Sequence, residues 1–416
     1  MTLRVESGVV AVGPGTYQGE PHLFDWDAGF RPNGAILWWA SDCEPSTTKV
    51  NLGGIGLWAA DSNEASTSWA AADQDGPGMF RRWSRPHSFL AGSSPVDPEP
   101  ELFGSVCSTD EGVGLAVRGR TTATWHVHAF AIGGADIHAA TVTRVTIERR
   151  GAHIATELGF RPDFLFFLPE APEADAPESL GVSVGFAVDP ARQAACAFES
   201  HVGGPRIVAR SGFRRDAVVA IPHPDDSWTY DTLLRLTSIE HDGFGIVCDT
   251  TPNVPVSVAI LAIAGGRHHV GVGVMPRGRR RRARESVGIA PAGLLAFTSG
   301  LGTMERIREL GRLCLGGATR DRAGCVSWST RRRDWPPEPR SRSSRADWLE
   351  VLDTTSGRLY ARTGSPRFDG TGFAVGWTKR DRAVREFAYA AFGSSEPSGS
   401  GRSGRLRDLA RRLLRQ

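Results

Sequence analysis

One pattern occurs three times along this 416-residue chain, in the same order and at nearly one period. Residues 29–41 read GFRPNGAILWWAS, residues 159–169 read GFRPDFLFFLP, and residues 288–299 read GIAPAGLLAFTS. A glycine-centred segment follows each copy: GIGLWAAD from Gly54, SVGFAVDP from Ser183 and CLGGATRD from Cys314. A third segment closes each unit: DEGVGLAV from Asp110 ending in AFAIGG, HDGFGIVC from His241 ending in AIAGG, and GTGFAVGW from Gly370 ending in YAAFG. Gly29 and Gly159 lie 130 residues apart, and Gly159 and Gly288 lie 129 apart. Three signatures in one order at one spacing mean a triplicated domain. The predicted units are 1–136, 137–267 and 268–394, followed by a flexible linker at 395–404 and a basic tail at 405–416.

Within a unit the patterning is that of strands. Each opens on alternating apolar and polar residues, as in VTRVTIERR, the period of a strand with one covered face. The Gly-x-x-Pro signature then leads into an uninterrupted apolar run (AILWW, FLFFL or GLLAF). A run of that length entered through a proline predicts a strand buried on both faces. The repeated glycine of the next segment predicts a bulge or a close backbone approach. The closing segment reads as a hairpin, with its turn near Thr250–Asn253 in the second unit. Helical periodicity is confined to TMERIREL at 303–310 and to the C-terminal tail. The fold class predicted is all-β: three tandem β-sandwich, jelly-roll-like repeats of about 130 residues plus a short C-terminal amphipathic helix.

Composition narrows the functional classes. Apolar residues make up 40% and charged residues 23% of the chain, ordinary values for a globular protein. No apolar stretch reaches the roughly 18 residues of a membrane span. The start, MTLRVESGVV, lacks the basic and apolar regions of a signal peptide, and none is expected. Six cysteines occur two per unit with no CxxC pair, so reduced, buried thiols are expected rather than a disulfide framework. Net charge is +3, of which the segment from Ser395 onward carries +4, six arginines against Glu396 and Asp408. The repeats are therefore close to neutral and do not read as a nucleic-acid binder.

No nucleophile elbow, phosphate loop, dinucleotide fingerprint or HExxH is present. His126 and His128, with Asp136 and His138 beyond them, have metal-chelating spacing on a strand. Aligned on the closing glycines, the other units carry Val258 and Ile260, and Glu386 and Ala388, at those places. Such substitutions mark structural histidines, and no metal or other cofactor is expected. Asp73 and Asp75 open like a calcium loop but lack its remaining ligands. The pairs Asp25/Asp27 and Asp225/Asp226 are the carboxylates a polysaccharide hydrolase would use. The first unit holds seven of the twelve tryptophans. Trp38 and Trp39, adjacent on a strand, must point to opposite faces. With Trp83 they are the candidate ligand-binding residues, suited to stacking on a sugar. Arginine clusters at 276–286 and 331–345 read as solvated loops.

In the tail, Leu406, Leu409, Ala410, Leu413 and Leu414 fall on one helical stripe, with Arg411 and Arg412 on the opposite side. Twelve residues do not hold a helix alone in water, so the tail is expected to order against a partner. Leu406, Leu409, Leu413, Leu414, Arg411 and Arg412 are its candidate partner-binding residues.

The Gly-Phe-x-Pro strand and the later Asp-x-Gly-Phe/Val-Gly segment resemble repeat modules of structural proteins in tailed phages and phage-derived particles. The likeness covers all three units, with Ile289 and Thr371 as departures in the third. It implies a non-enzymatic structural, assembly or decoration protein of a virion or phage-like particle, bound to other particle proteins through its tail. The alternatives are a carbohydrate-binding tail component, recognising a glycan through the tryptophans, and the polysaccharide hydrolase.

Overall fold

The computed structural model describes residues 3–42, 50–60, 63–72, 79–92, 100–170, 179–203, 206–223, 228–275, 282–301, 307, 311–330, 340–352, 359–379 and 385–393. The first repeat contributes β1 (Leu3–Val12), β2 (Gly15–Asp27), β3 (Pro32–Asp42), β4 (Val50–Ala59) and β5 (Glu64–Ala72). It continues with β6 (Met79–Arg85), β7 (Phe89–Ala91), β8 (Leu102–Ser108), β9 (Gly112–Thr121) and β10 (Thr124–Gly134). The second has β11 (Ile137–Ile147), β12 (His153–Glu157), β13 (Phe164–Pro169), β14 (Ser179–Asp189) and β15 (Arg192–Gly203). Then come β16 (Arg206–Arg214), β17 (Val219–Pro222), β18 (Tyr230–Ile239), β19 (Gly243–Cys248) and β20 (Val256–Gly265). The third has β21 (Arg267–Met275), β22 (Arg282–Ser286), β23 (Pro291–Thr298), β24 (Gly311–Thr319), β25 (Ala323–Thr330) and β26 (Arg340–Ser344). It ends with β27 (Glu350–Leu352), β28 (Leu359–Thr363), β29 (Arg367–Phe368), β30 (Gly372–Lys379) and β31 (Arg385–Gly393). Among the described residues there is no helix, and none long and apolar enough to cross a membrane.

All strand pairs are antiparallel, and the three repeats share one wiring. In the first, a six-stranded sheet runs β1-β10-β3-β4-β5-β6 and a smaller one β2-β9-β8-β7. The second repeats this as β11-β20-β13-β14-β15-β16 and β12-β19-β18-β17. The third does so as β21-β31-β23-β24-β25-β26 and β22-β30-β28-β27, with β29 added beside β30. The two sheets of each repeat share an apolar core, a sandwich-like arrangement. The predicted closing hairpin is corrected by this wiring. β19 pairs with β12 and β18, whereas β20 pairs with β11 and β13. The turn between them therefore crosses from one sheet to the other. A strand–turn–strand pattern is the same whether its strands bond to each other or to third parties.

The continuous apolar runs reflect two buried faces. Along β3, Ala35, Leu37 and Trp39 enter the first repeat's own core. Ile36, Trp38 and Ala40 enter a different core, built from all three repeats. In β13, Leu165 and Phe167 face inward while Phe164, Phe166 and Leu168 join the common core. Period-two alternation thus survives, but both sets are apolar because both sides are dry. Burying each large side chain of this common core is worth about 1.5–3 kcal/mol.

The six-stranded sheets close cyclically. Strand β6 packs on β14, β16 on β24, and β26 on β3 and β4. First strands lean the other way: β11 on β3 and β4, β21 on β14 and β15, and β1 on β23, β24 and β25. One head-to-tail contact is used three times, closing a pseudo-three-fold body from a single chain. Its interior includes Trp69, Phe198 and Trp328, which occupy equivalent places opposite Gly53, Val182 and Leu313. Their rings meet edge to face, Trp69–Trp328 at 4.9 Å and Trp69–Phe198 at 6.0 Å between centroids, a favoured aromatic geometry.

Two repeated glycines have defined reasons. Gly29, Gly159 and Gly288 take φ of 70°, 76° and 70°, the left-handed region that side chains avoid. Gly56, Gly185 and Gly316 are close approaches: an added Cβ would collide with the carbonyl oxygens of Ser88, Val218 and Trp348. Those carbonyls lie just before β7, β17 and β27, so the glycine lets the smaller sheet's edge sit directly on the larger sheet.

Candidate functional site

The three seams between repeats have the same backbone but different side chains. Where the first repeat meets the second, Thr67 Oγ1 donates to the Pro169 carbonyl at 3.1 Å and Arg82 Nη2 to the Glu170 carbonyl at 3.1 Å. Where the second meets the third, Arg312 N donates to Ser211 Oγ at 2.7 Å and that hydroxyl donates to the Arg312 carbonyl at 3.0 Å. Phe213 there packs against Phe297, and Arg215 pairs with Glu386 at 3.1 Å.

The closing seam joins the third repeat to the first through polar contacts. His128 Nε2 hydrogen-bonds Ser343 Oγ at 2.8 Å, and its ring stacks on Trp38 with centroids 5.7 Å apart. Arg345 Nη2 donates to His126 Nδ1 at 2.9 Å. Arg322 approaches Glu6 at 3.7 Å, and Thr319 Oγ1 donates to Glu6 at 3.4 Å. Beside these contacts opens a cavity of about 410 Å³. Ser7, Gly8, Val9, Trp26 and His128 line it from the first repeat, and Asp321, Arg322, Ala323, Gly324, Arg345, Ala346 and Ser365 from the third. Burial pushes the His128 imidazole down to about 3, with His126 and Arg345 adding to the shift. A charged ring is disfavoured because it loses its hydration and faces cationic neighbours. Glu6, half-buried here, is raised by burial against the opposing pull of Arg322.

The three tryptophans predicted to bind a ligand lie in the interior. Trp38 and Trp39 are fully buried and Trp83 is 4% exposed, so none offers a ring face to solvent for a sugar. Trp38 lies in the common core and Trp39 and Trp83 in the first repeat's own. His126 and His128 do share a face of β10, but each reaches a different partner across the seam. Among the described residues no group of three His, Cys, Asp or Glu is placed to hold a metal ion. Asp136 Oδ2 accepts from Leu3 N at 3.2 Å, and Asp27 Oδ1 from Gly29 N at 2.7 Å. Cys196, Cys248, Cys314 and Cys325 are buried free thiols and Cys107 is half-buried. Asp73, Asp75, Asp225, Asp226, Cys43 and the tail residues Leu406, Leu409, Leu413, Leu414, Arg411 and Arg412 lie outside the described residues. So do the arginine runs at 276–281 and 331–339 and, Ile307 apart, residues 302–310.

The register also corrects the alignment of the second repeat. His128 lies opposite Trp38, and the residue equivalent to Trp38 is Leu168, which lies opposite Ala259. The counterparts of His126 and His128 are therefore Ser257 and Ala259, not Val258 and Ile260. Gly134 and Gly265, with φ of 102° and 101°, are the equivalent closing glycines, although the sequence pairs one double glycine with the other. A one-residue slip moves every side chain to the opposite face, so this distinction decides which residues line a seam.

One exposed aromatic escaped the sequence reading. Trp228 is 56% exposed, and Arg210 Cζ lies over its ring, 5.8 Å from the ring centroid. Arg210 Nη1 donates to the His223 carbonyl at 2.6 Å, and Asn253 Nδ2 lies 3.1 Å from His223 Nε2. The available signal was that Trp228 follows the sequence Pro-Asp-Asp-Ser, outside any strand pattern. No protein-family model matches this chain, and no curated protein matches it in sequence.

Proposed function

We propose that this chain is a non-enzymatic structural, assembly or decoration protein of a phage-like particle, a pseudo-trimer made from one polypeptide. The observation that supports this most is the cyclic closure of the three six-stranded sheets around Trp69, Phe198 and Trp328. A single-chain body with three-fold pseudo-symmetry fits a partner with a matching axis while leaving each side free to carry different loops. Each repeat is a jelly-roll variant in this reading. Its first three strands alternate between sheets, and its last strand lies between the first and third. The repeated residues serve the framework: turns, sheet-to-sheet approach and core. Residues 395–416 act as the tether, through the leucine stripe of the tail. Deletion of 395–416 is expected to abolish co-sedimentation with particles while leaving the repeats folded. Full incorporation of the truncated protein removes the tether.

A second reading, a carbohydrate-binding component, is favoured by Trp228, an exposed indole braced from beneath by a buried arginine. Its signature is glycan-array binding that disappears in Trp228→Ala, and a blank array for the parent protein removes it.

A further inference from the structure

Internal repetition provides a control for the cavity at the closing seam. Arg345 and Arg215 are equivalent, each following the residue paired with Cys325 or Ala195 respectively. His126 and Glu386 are equivalent too, opposite Ala11 and Val274 on the first strands. In the sister seam Arg215 thus meets a carboxylate. In the closing seam Arg345 meets an imidazole nitrogen, which carries no negative charge in either protonation state. Arg345 has no carboxylate partner among the described residues. Space differs in the same sense: Phe213 and Phe297 pack together in one seam, whereas Ser343, His128 and the cavity stand in the other.

We propose that this cavity binds a small organic carboxylate, whose anion pairs with Arg345 as Glu386 pairs with Arg215. Of the two arginines in its lining, Arg322 already faces Glu6, which leaves the single Arg345 guanidinium for the ligand and favours a monoanion over a dianion. Val9, Ala323, Ala346 and the Trp26 ring supply apolar wall, which suits a carboxylate on an apolar body better than an inorganic ion. The Trp26 indole N–H, buried beside the cavity, has no acceptor among the described residues. Arginine is the residue suited to the contact, because its planar fork matches the two carboxylate oxygens. Because the walls come from the first and third repeats, the ligand bridges the seam that closes the body and stabilises it by mass action.

Isothermal titration of the full chain tests this with benzoate as probe, benzamide as its neutral isostere and inorganic phosphate as a simple oxyanion. Benzoate is expected to bind saturably at one site, with benzamide and phosphate at least about tenfold weaker. Arg345→Gln and His126→Glu are each expected to weaken benzoate by about tenfold or more. His126→Glu keeps the arginine and rebuilds the sister seam's ion pair, so its loss of binding comes without a loss of fold, checked by an unchanged or raised melting temperature. Absence of saturable benzoate binding overturns the proposal. Equal binding of benzamide or phosphate, or undiminished binding in either variant, overturns it as well.

Discussion

His128 makes the closing seam sensitive to acid, and the size of the effect follows from its surroundings. The ring is 1% exposed, stacked on Trp38 and bonded to Ser343, and its folded value lies near 3. In the unfolded chain it returns to about 6.5. Between these values the unfolded state binds a proton that the folded state refuses, so stability is lost as pH falls below 6.5. At pH 5 the relevant window is roughly 1.5 pH units, which corresponds to about 2 kcal/mol relative to pH 8. His268, half-buried against Phe164 and Phe392 and held near 4 by desolvation, adds a loss of the same sign. Glu350 works in the opposite direction. Burial raises it to about 7 against the pull of Arg342, so it contributes stability below pH 4.5 that disappears as pH rises through 7. Total stability against pH therefore mixes opposing terms, and the informative quantity is a difference between proteins. His128→Gln keeps a group able to reach Ser343 but cannot titrate. Urea unfolding of parent and variant at pH 8 and pH 5 is expected to show the parent losing about 2 kcal/mol more than the variant. Equal losses in the two proteins would refute the argument, because they would mean that His128 is hydrated or charged in the folded state.

The repeated glycines give a graded pair of outcomes. Gly185→Ala places a methyl against the Val218 carbonyl oxygen, and with no rotamer to relieve it the expected cost is about 3 kcal/mol. Gly159→Ala enters open space but at φ +76°, so only the backbone term of roughly 1–2 kcal/mol applies. Denaturant midpoints measure both, and a Gly159 variant more damaging than the Gly185 variant contradicts these assignments.

Much of the fold was legible because it depends on local pattern. The triplicated signatures, the strand character of each segment and the split of Trp38 and Trp39 to opposite faces all follow from spacing and period. The left-handed backbone at Gly29, Gly159 and Gly288 came from the structure, since the Gly-x-x-Pro signature by itself was legible only as the entry to a strand. Tryptophan count, by contrast, pointed to the wrong place for an exposed ring. Composition cannot separate an indole buried between sheets from one on a loop, and Trp228 was found only by its exposure.

Sequence alone therefore determined that this protein is three copies of a strand-rich unit with apolar runs covered on both sides. Tertiary structure alone decided what covers them: a second sheet on one face and the neighbouring repeats on the other, closing into a pseudo-three-fold body. It also decided which residues are equivalent, because register is set by backbone hydrogen bonds to distant strands and a single-residue slip reverses the faces. Ser343, Arg345, His126 and His128 acquire their shared seam only in that way. The two histidines lie more than 200 residues from Ser343 and Arg345 in the chain, and no local pattern in either segment specifies that the third repeat returns to meet the first.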